Sequence, residues 1–121
     1  MSTKCYVVDD ERHNITLISE YIESTYGMEL IGSSTNPVTA LGEIIEKRPD
    51  VVFSDIRMPK MSGFEIADQV KSFAKVIFIS AESQSSFPDI DWENYHFLRK
   101  LISYDDFIKI LPKINVGHEV R

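Results

Sequence analysis

Apolar residues in this chain come in two alternating textures. Five short runs are almost unbroken: residues 5–8, 28–33, 51–54, 75–80 and 95–99. Runs of this length, rich in β-branched and aromatic residues, fit strands of a parallel sheet covered on both faces. Between them, apolar residues recur at helical spacing. Ile15, Leu17, Ile18, Tyr21, Ile22 and Tyr26 predict a first helix, stopped by Gly27. Asn36-Pro37 predicts an N-cap and first helical position, followed by Val38, Leu41, Ile44 and Ile45 as a buried stripe that ends before Arg48-Pro49. Ser62-Gly63 opens a third helix carrying Phe64, Ile66, Ala67, Val70 and Phe73.

The alternation weakens beyond Glu82. Residues 83–93 are polar and contain Pro88, which predicts a fourth helix that is short or distorted. Ser103 and Asp106 form an S-x-x-D cap for a fifth helix with Phe107, Ile108, Leu111 and Ile114 on its apolar face. Pro112 is expected to kink or shorten it. Residues 1–116 then form the domain, and 117–121 read as a frayed end or the start of a linker. Strands and helices in strict alternation predict an α/β fold: a flavodoxin-like, doubly wound, five-stranded parallel sheet in the order 2-1-3-4-5, with helices on both faces.

Two of the runs end abruptly in acid. Cys5–Val8 leads into Asp9-Asp10-Glu11, and Val51–Ser54 leads into Asp55. In an open α/β sheet the ligand crevice lies beyond the carboxyl ends of the strands. The predicted order makes strands one and three neighbours, so Asp9, Asp10 and Asp55 are expected to converge. Clustered carboxylates repel, and some must take up protons unless a cation intervenes. Hard oxygen donors suit Mg²⁺, which uses few carboxylates and keeps positions for water and phosphate oxygens. The expectation is a Mg²⁺-dependent phosphoryl site.

Composition narrows the alternatives. The 121 residues suffice for one core. A net charge of −6 argues against nucleic-acid binding by this domain. The single Cys5 cannot form an internal disulfide and is expected to be a buried thiol in a reducing compartment. There is no apolar stretch of membrane-spanning length, and Met1 is followed by polar Ser2-Thr3-Lys4, so a cytoplasmic setting is expected. His13, His96 and His118 have no metal-site spacing.

With the acids placed, the chain resembles the receiver domain of bacterial two-component response regulators over essentially its whole length. Val7-Val8-Asp9-Asp10-Glu11 is similar to that family's first-strand acidic pair. Ser54-Asp55-Ile56-Arg57-Met58-Pro59 with Met61-Ser62-Gly63 is similar to its phosphoacceptor strand and turn. Ile79-Ser80-Ala81 matches the hydroxyl switch position, and Leu98-Arg99-Lys100 the fifth-strand lysine. The spacing from Ser80 to Lys100, with Ile102-Ser103 and Phe107 beyond, looks most like regulators with a LytTR-type DNA-binding output.

The resemblance implies that Asp55 takes a phosphoryl group from a sensor histidine kinase. It implies Mg²⁺ ligation by Asp10, Asp55 and the backbone carbonyl of Arg57, with Asp9 acting through a metal-bound water. Lys100 and Ser80 would contact phosphate oxygens, Ala81 would stay small so that its N–H can approach, and Phe97 would be the aromatic switch. The signal would leave through the face of the fourth helix, fifth strand and fifth helix, toward a homodimer partner or a C-terminal, DNA-binding output domain. The domain would then be a phosphoacceptor and not a turnover enzyme. Arg57 and Glu82 flank the site as rim residues. The Arg57 side chain either shields the site or faces solvent, and an Arg57–Glu82 ion pair could cross the mouth.

Two departures fall on the expected signalling side. Leu101 follows Lys100 where the family has a cis-bonded Pro; the Lys100–Leu101 bond is still expected to be cis, since the phosphate site would otherwise be displaced. Glu93 replaces the usual Gly, and Pro88 interrupts the preceding stretch. Two other readings compete. A Mg²⁺-dependent aspartyl phosphohydrolase would carry a second Asp two residues after the nucleophile, where Arg57 stands. A receiver-like interaction module that works without phosphate would be favoured by an incomplete acid set, but the set is complete.

Overall fold

The computed structural model describes residues 2–116 and 119–120. Strands Thr3–Val8 (β1), Met28–Ser34 (β2), Val51–Asp55 (β3), Lys75–Ser80 (β4) and His96–Arg99 (β5) form one sheet. Its order is β2-β1-β3-β4-β5, with every neighbouring pair parallel. The two-residue segments Thr25–Tyr26 and Glu119–Val120 pair antiparallel in a separate ribbon. Residues 117, 118 and 121 of the expected tail lie outside the described residues.

Alternation along the strands builds two cores. Cys5, Val7, Phe53, Ile77 and Ile79 face α1 (Arg12–Glu23) and α4 (Tyr104–Ile110). Tyr6, Val8, Val52, Val76 and Phe78 face α2 (Pro37–Lys47) and α3 (Gly63–Val70). The central strands are buried on both sides, which is why they read as unbroken apolar runs. Side chains start three of the helices. Asn36 Oδ1 accepts from the N–H groups of Val38 and Thr39, Ser62 Oγ accepts from Glu65, and Ser103 and Asp106 form a reciprocal capping box. Each such cap contributes about 1 kcal/mol. A 3₁₀ turn at Leu111–Ile114, containing Pro112, continues α4 in place of further α-helix.

Three expectations need correction. The third helix ends at Val70, so Phe73 lies in the turn beyond it. The first helix stops at Glu23, not at Tyr26. Thr25 Oγ1 donates to the Tyr21 carbonyl at 2.8 Å, residues 25–26 become strand, and Gly27 turns at φ 86° into β2. In α2 the buried residues are Pro37, Ala40 and Ile44, whereas Val38 and Ile45 are 51% and 46% exposed. The roll of the helix explains this. The Tyr6 hydroxyl, on a buried sheet face, donates to Glu43 Oε1 at 2.6 Å, and small Ala40 lets the helix approach. Turning Glu43 toward β1 carries Val38 and Ile45 outward.

Between β4 and β5 the only helical residues are a 3₁₀ turn at Gln84–Ser86, in keeping with the expected distortion. Aromatic packing holds this stretch instead. Phe87 is buried, and the half-buried Trp92 donates its indole N–H to the Phe87 carbonyl at 3.1 Å. Phe64, Phe78 and Phe97 meet the Trp92 ring edge-on at centroid distances of 6.5, 6.0 and 5.4 Å. Trp92 thus packs against the core on this face of the sheet. The Lys100–Leu101 peptide is cis.

Candidate functional site

β1 and β3 run in register, Val8 opposite Ser54, so the next residues emerge side by side at the carboxyl edge of the sheet. Asp9, Asp10 and Asp55 each place a carboxylate oxygen within 4.8 Å of the others. Asp9 and Asp55 are buried, whereas Asp10 is exposed. The pairing of β4 with β3 and β5 brings Ser80 and Lys100 to the same edge, and the Lys100 N–H bonds the Ser80 carbonyl at 2.8 Å. Lys100 Nζ lies 3.1 Å from Asp9 Oδ2 and 3.5 Å from Asp55 Oδ2.

The acids are held by backbone donors. Asp9 Oδ1 accepts from the Glu11 N–H at 2.9 Å, and Asp55 Oδ1 accepts from the Ile56 N–H at 2.9 Å. Asp9 Oδ2 is buried with no hydrogen bond of its own beyond the ion pair to Lys100. Ser80 Oγ accepts from the Glu82 N–H at 3.0 Å, and Ala81 is exposed at the rim. Arg57 donates through Nε and a terminal nitrogen to the Glu82 carboxylate, with its guanidinium carbon 5.1 Å from the Phe87 ring centre. Phe97 is half-buried against Trp92.

Electrostatics follow from the crowding. Burial, then the Asp9 charge, pushes the Asp55 carboxyl up to about 7, with Lys100 opposing. Burial pulls the Lys100 ammonium down, but the Asp55 and Asp9 carboxylates outweigh it and leave its pKa raised. A divalent cation suits this arrangement: the donors are all hard oxygens, one buried oxygen lacks a hydrogen bond, and the cluster otherwise retains protons.

A pH dependence follows for the metal-free chain. Asp55 holds its proton to about pH 7 when folded, but titrates near its ordinary carboxyl value of about 3.9 when unfolded. Its contribution to stability is therefore complete below about pH 4 and lost as the pH rises through about 7. Asp55→Asn should gain on the wild type, in urea midpoint measured with EDTA, between pH 5 and 8. A difference that stays flat over that range would contradict the crowding.

Asn14, Gly63 and Ser54 also build the site. Asn14, buried on α1, directs its side-chain amide at Asp9 Oδ1 from 3.5 Å. Its only sequence signal was a polar residue on the sheet-facing side of a helix. Gly63 lies under the end of β3: its N–H donates to the Ile56 carbonyl at 2.8 Å, and a Cβ there would stand 2.2 Å from the Asp55 carbonyl oxygen. Ser54 Oγ donates to that same oxygen at 2.8 Å. Neither described histidine joins the cluster: His13 faces Glu11 at 3.7 Å, and His96 lies in β5 with its pKa lowered by burial and by Lys75 and Lys113. His118 lies outside the described residues.

Among the described residues no helix is long and apolar enough to cross a membrane. The fold is shared with the response regulator domain of CheB from Thermotoga maritima, 25% identical with a TM-score of 0.78 over 95% of each chain. It is also shared with the chemotaxis protein CheY4 of Vibrio cholerae, 22% identical with a TM-score of 0.81 over 94% of this chain and 99% of that one. Among curated proteins, a response regulatory protein of Shewanella oneidensis is 29% identical over 91% of this chain and 48% of its own length. The sensory transduction protein LytT of Bacillus cereus is 28% identical over 98% of this chain and 52% of its own. The chain thus spans about half the length of these curated relatives. The response regulator receiver domain family matches residues 5–111, the span that carries both acid-tipped strands and Lys100, and the chain belongs to that family of two-component signalling modules.

Proposed function

We propose that this receiver accepts a phosphoryl group on Asp55 from the phosphohistidine of a sensor histidine kinase and changes its signalling face in response. One observation carries the reading. A buried carboxylate, Asp55, stands beside two further carboxylates and 3.5 Å from a lysine ammonium, at the carboxyl edge of the sheet. In the reaction a carboxylate oxygen of Asp55 attacks phosphorus, the new O–P bond forms as the N–P bond breaks, and the imidazole leaves carrying the bonding pair. Such a transfer asks a protein mainly for positioning and charge stabilisation.

Asp10, Asp55 and the Arg57 carbonyl would hold Mg²⁺, with Asp9 contacting it through water. The bound ion would supply positive charge that offsets the repulsion between an anionic nucleophile and an anionic donor. Lys100 adds a point charge for a phosphoryl oxygen. Ser80 Oγ, now accepting from Glu82, can turn to donate to another, and Ala81 leaves room for its N–H to approach. Arg57 and Glu82 close the rim. The chain assists its own phosphorylation and is not a turnover enzyme. The free thiol of Cys5, buried in β1, suits the reducing cytoplasm in which we place the exchange.

The phosphoryl group adds charge beside Lys100 and Ser80 and biases the stretch between β4 and β5, the aromatic ring of Phe97 included. That stretch, β5 and α4 then form the face offered to a second copy or to an output domain C-terminal to this chain, in keeping with a DNA-binding output.

The test is incubation with Mg²⁺ and acetyl phosphate. The expected product is an acid-stable, base-labile phosphoryl adduct that is absent from Asp55→Asn and from samples with excess EDTA. Absence of any adduct on the wild type would instead favour an interaction module that works without phosphate. Steady turnover of many small phosphate esters would favour a phosphohydrolase.

A further inference from the structure

Tyr21 lies on α1, outside the acid cluster, yet its hydroxyl donates to the backbone carbonyl of Ile102 at 2.7 Å. Ile102 is two residues beyond Lys100. The Lys100 N–H is tied to the Ser80 carbonyl at one end, and the Ile102 side chain is buried at the other. Leu101, between them, is 91% exposed. The Tyr21 ring is itself clamped by Tyr104 and Phe107, at centroid distances of 5.3 and 5.6 Å. Phe107 stacks on Phe53 at 5.5 Å, and Phe53 precedes Asp55 by two residues in β3. One packed stack therefore carries both the strand that bears Asp55 and the phenol that grips the Lys100 loop. Burial, followed by the charges of Asp106 and Glu20, raises the Tyr21 pKa, so the hydroxyl remains a donor at neutral pH.

We propose that Tyr21 is a positioning residue for Lys100, its phenol fixing the Ile102 carbonyl and so holding the Lys100 ammonium between Asp9 and Asp55. This rests on the reading of Lys100 as the cationic partner of the phosphoryl group. A shift of the Ile102 carbonyl is passed along two peptide units to the lysine, and small misplacements at a reacting centre are costly.

The test compares adduct formation from acetyl phosphate and Mg²⁺ in the full chain carrying Tyr21→Phe, Tyr104→Phe, Lys100→Met, or Tyr21→Phe with Lys100→Met. Tyr21→Phe keeps the ring packing and loses one hydrogen bond, so the rate should fall by about 2- to 10-fold. Tyr104→Phe removes the hydroxyl that meets the Ser24 carbonyl and Thr25 Oγ1 but leaves the bond to Ile102, so the rate should not change. The double variant should be no slower than Lys100→Met alone, because Tyr21 acts through the lysine. Multiplying effects in the double variant, or equal slowing by Tyr104→Phe, would overturn the proposal in favour of general loosening. If the wild type forms no adduct, the phosphoacceptor reading fails. In that event, or if Lys100→Met is too slow to measure, the same Tyr21 and Lys100 variants are compared by urea unfolding without metal. Non-additive midpoints then support the positioning role, and additive ones refute it.

Discussion

Gly63→Ala should lower the rate of Asp55 phosphorylation by about a hundredfold without altering a single charged group. The added methyl would stand 2.2 Å from the Asp55 carbonyl oxygen, 3.0 Å from Ser54 Oγ and 3.2 Å from the Asp55 carbonyl carbon. Two of these three are backbone atoms at the end of a buried strand, so no flexible side chain can give way. The carbonyl must move or α3 must slide off the sheet. Moving the carbonyl breaks its bond from Ser54 Oγ and swings the carboxylate out of line with Asp9 and Asp10. Sliding α3 separates Ile66, Ala67 and Val70 from Phe78 and Val76. Either course costs about 1–3 kcal/mol, as overpacking of a core does. Adduct kinetics paired with urea unfolding check both effects. A variant phosphorylated at the wild-type rate would show that the close approach is dispensable.

Lys100→Met should be the most destabilising single change at the acid cluster in metal-free buffer. Lys100 Nζ is the described cation within 4 Å of both Asp9 and Asp55, and its side chain is 13% exposed. Methionine approximates the length of the stem but leaves two buried carboxylates facing each other. Removing one partner of a buried ion pair typically costs about 3–5 kcal/mol, and partial exposure here reduces the expectation to about 2–3 kcal/mol. Protonation of the Asp55 carboxyl, already raised to about 7, relieves part of the repulsion, so the loss should be larger at pH 8 than at pH 5.5. Millimolar Mg²⁺ should restore much of it, and Asp55→Asn in the same chain should do so without metal. Urea midpoints across this set check the account. A Lys100→Met chain as stable as the wild type in EDTA at pH 8 would refute it.

The site was legible in the sequence because of how buried parallel strands are written. A strand covered on both faces is an unbroken apolar run, so the point at which Val8 gives way to Asp9, or Ser54 to Asp55, marks the sheet edge without ambiguity. Strand order then brings those ends together, whereas Lys100 at the end of β5 was identified only through the family resemblance. Helical faces are less determinate. Val38, Leu41, Ile44 and Ile45 span a broad arc, and the sequence does not say which part of it turns inward. That was decided by contacts distant in the chain, Tyr6 with Glu43 and Ala40 against the sheet. The end of α1 was missed for a similar reason, since Tyr26 keeps the helical spacing but residues 25–26 find a strand partner at 119–120. Asn14 reaches a carboxylate five residues back, beyond the end of β1, and Tyr21 reaches a loop carbonyl 81 residues away, and helical spacing within α1 reveals neither contact. Gly63 was visible as part of a motif, but its steric role appears only once the Asp55 carbonyl is placed.

The aromatic packing between β4 and β5 also gives the molecule an optical property. Trp92 is the only tryptophan in the chain, and its indole is flanked edge-on by Phe64, Phe78 and Phe97 with its N–H tied to the Phe87 carbonyl. Its emission spectrum, lifetime and anisotropy therefore report on one place, the stretch that stands where a fourth helix was expected. Loosening of that stretch would shift the emission to the red and admit a collisional quencher, with the acid cluster unlabelled and unmodified. Intrinsic fluorescence can thus follow the proposed signalling face in real time, separately from any assay of the phosphoryl group itself.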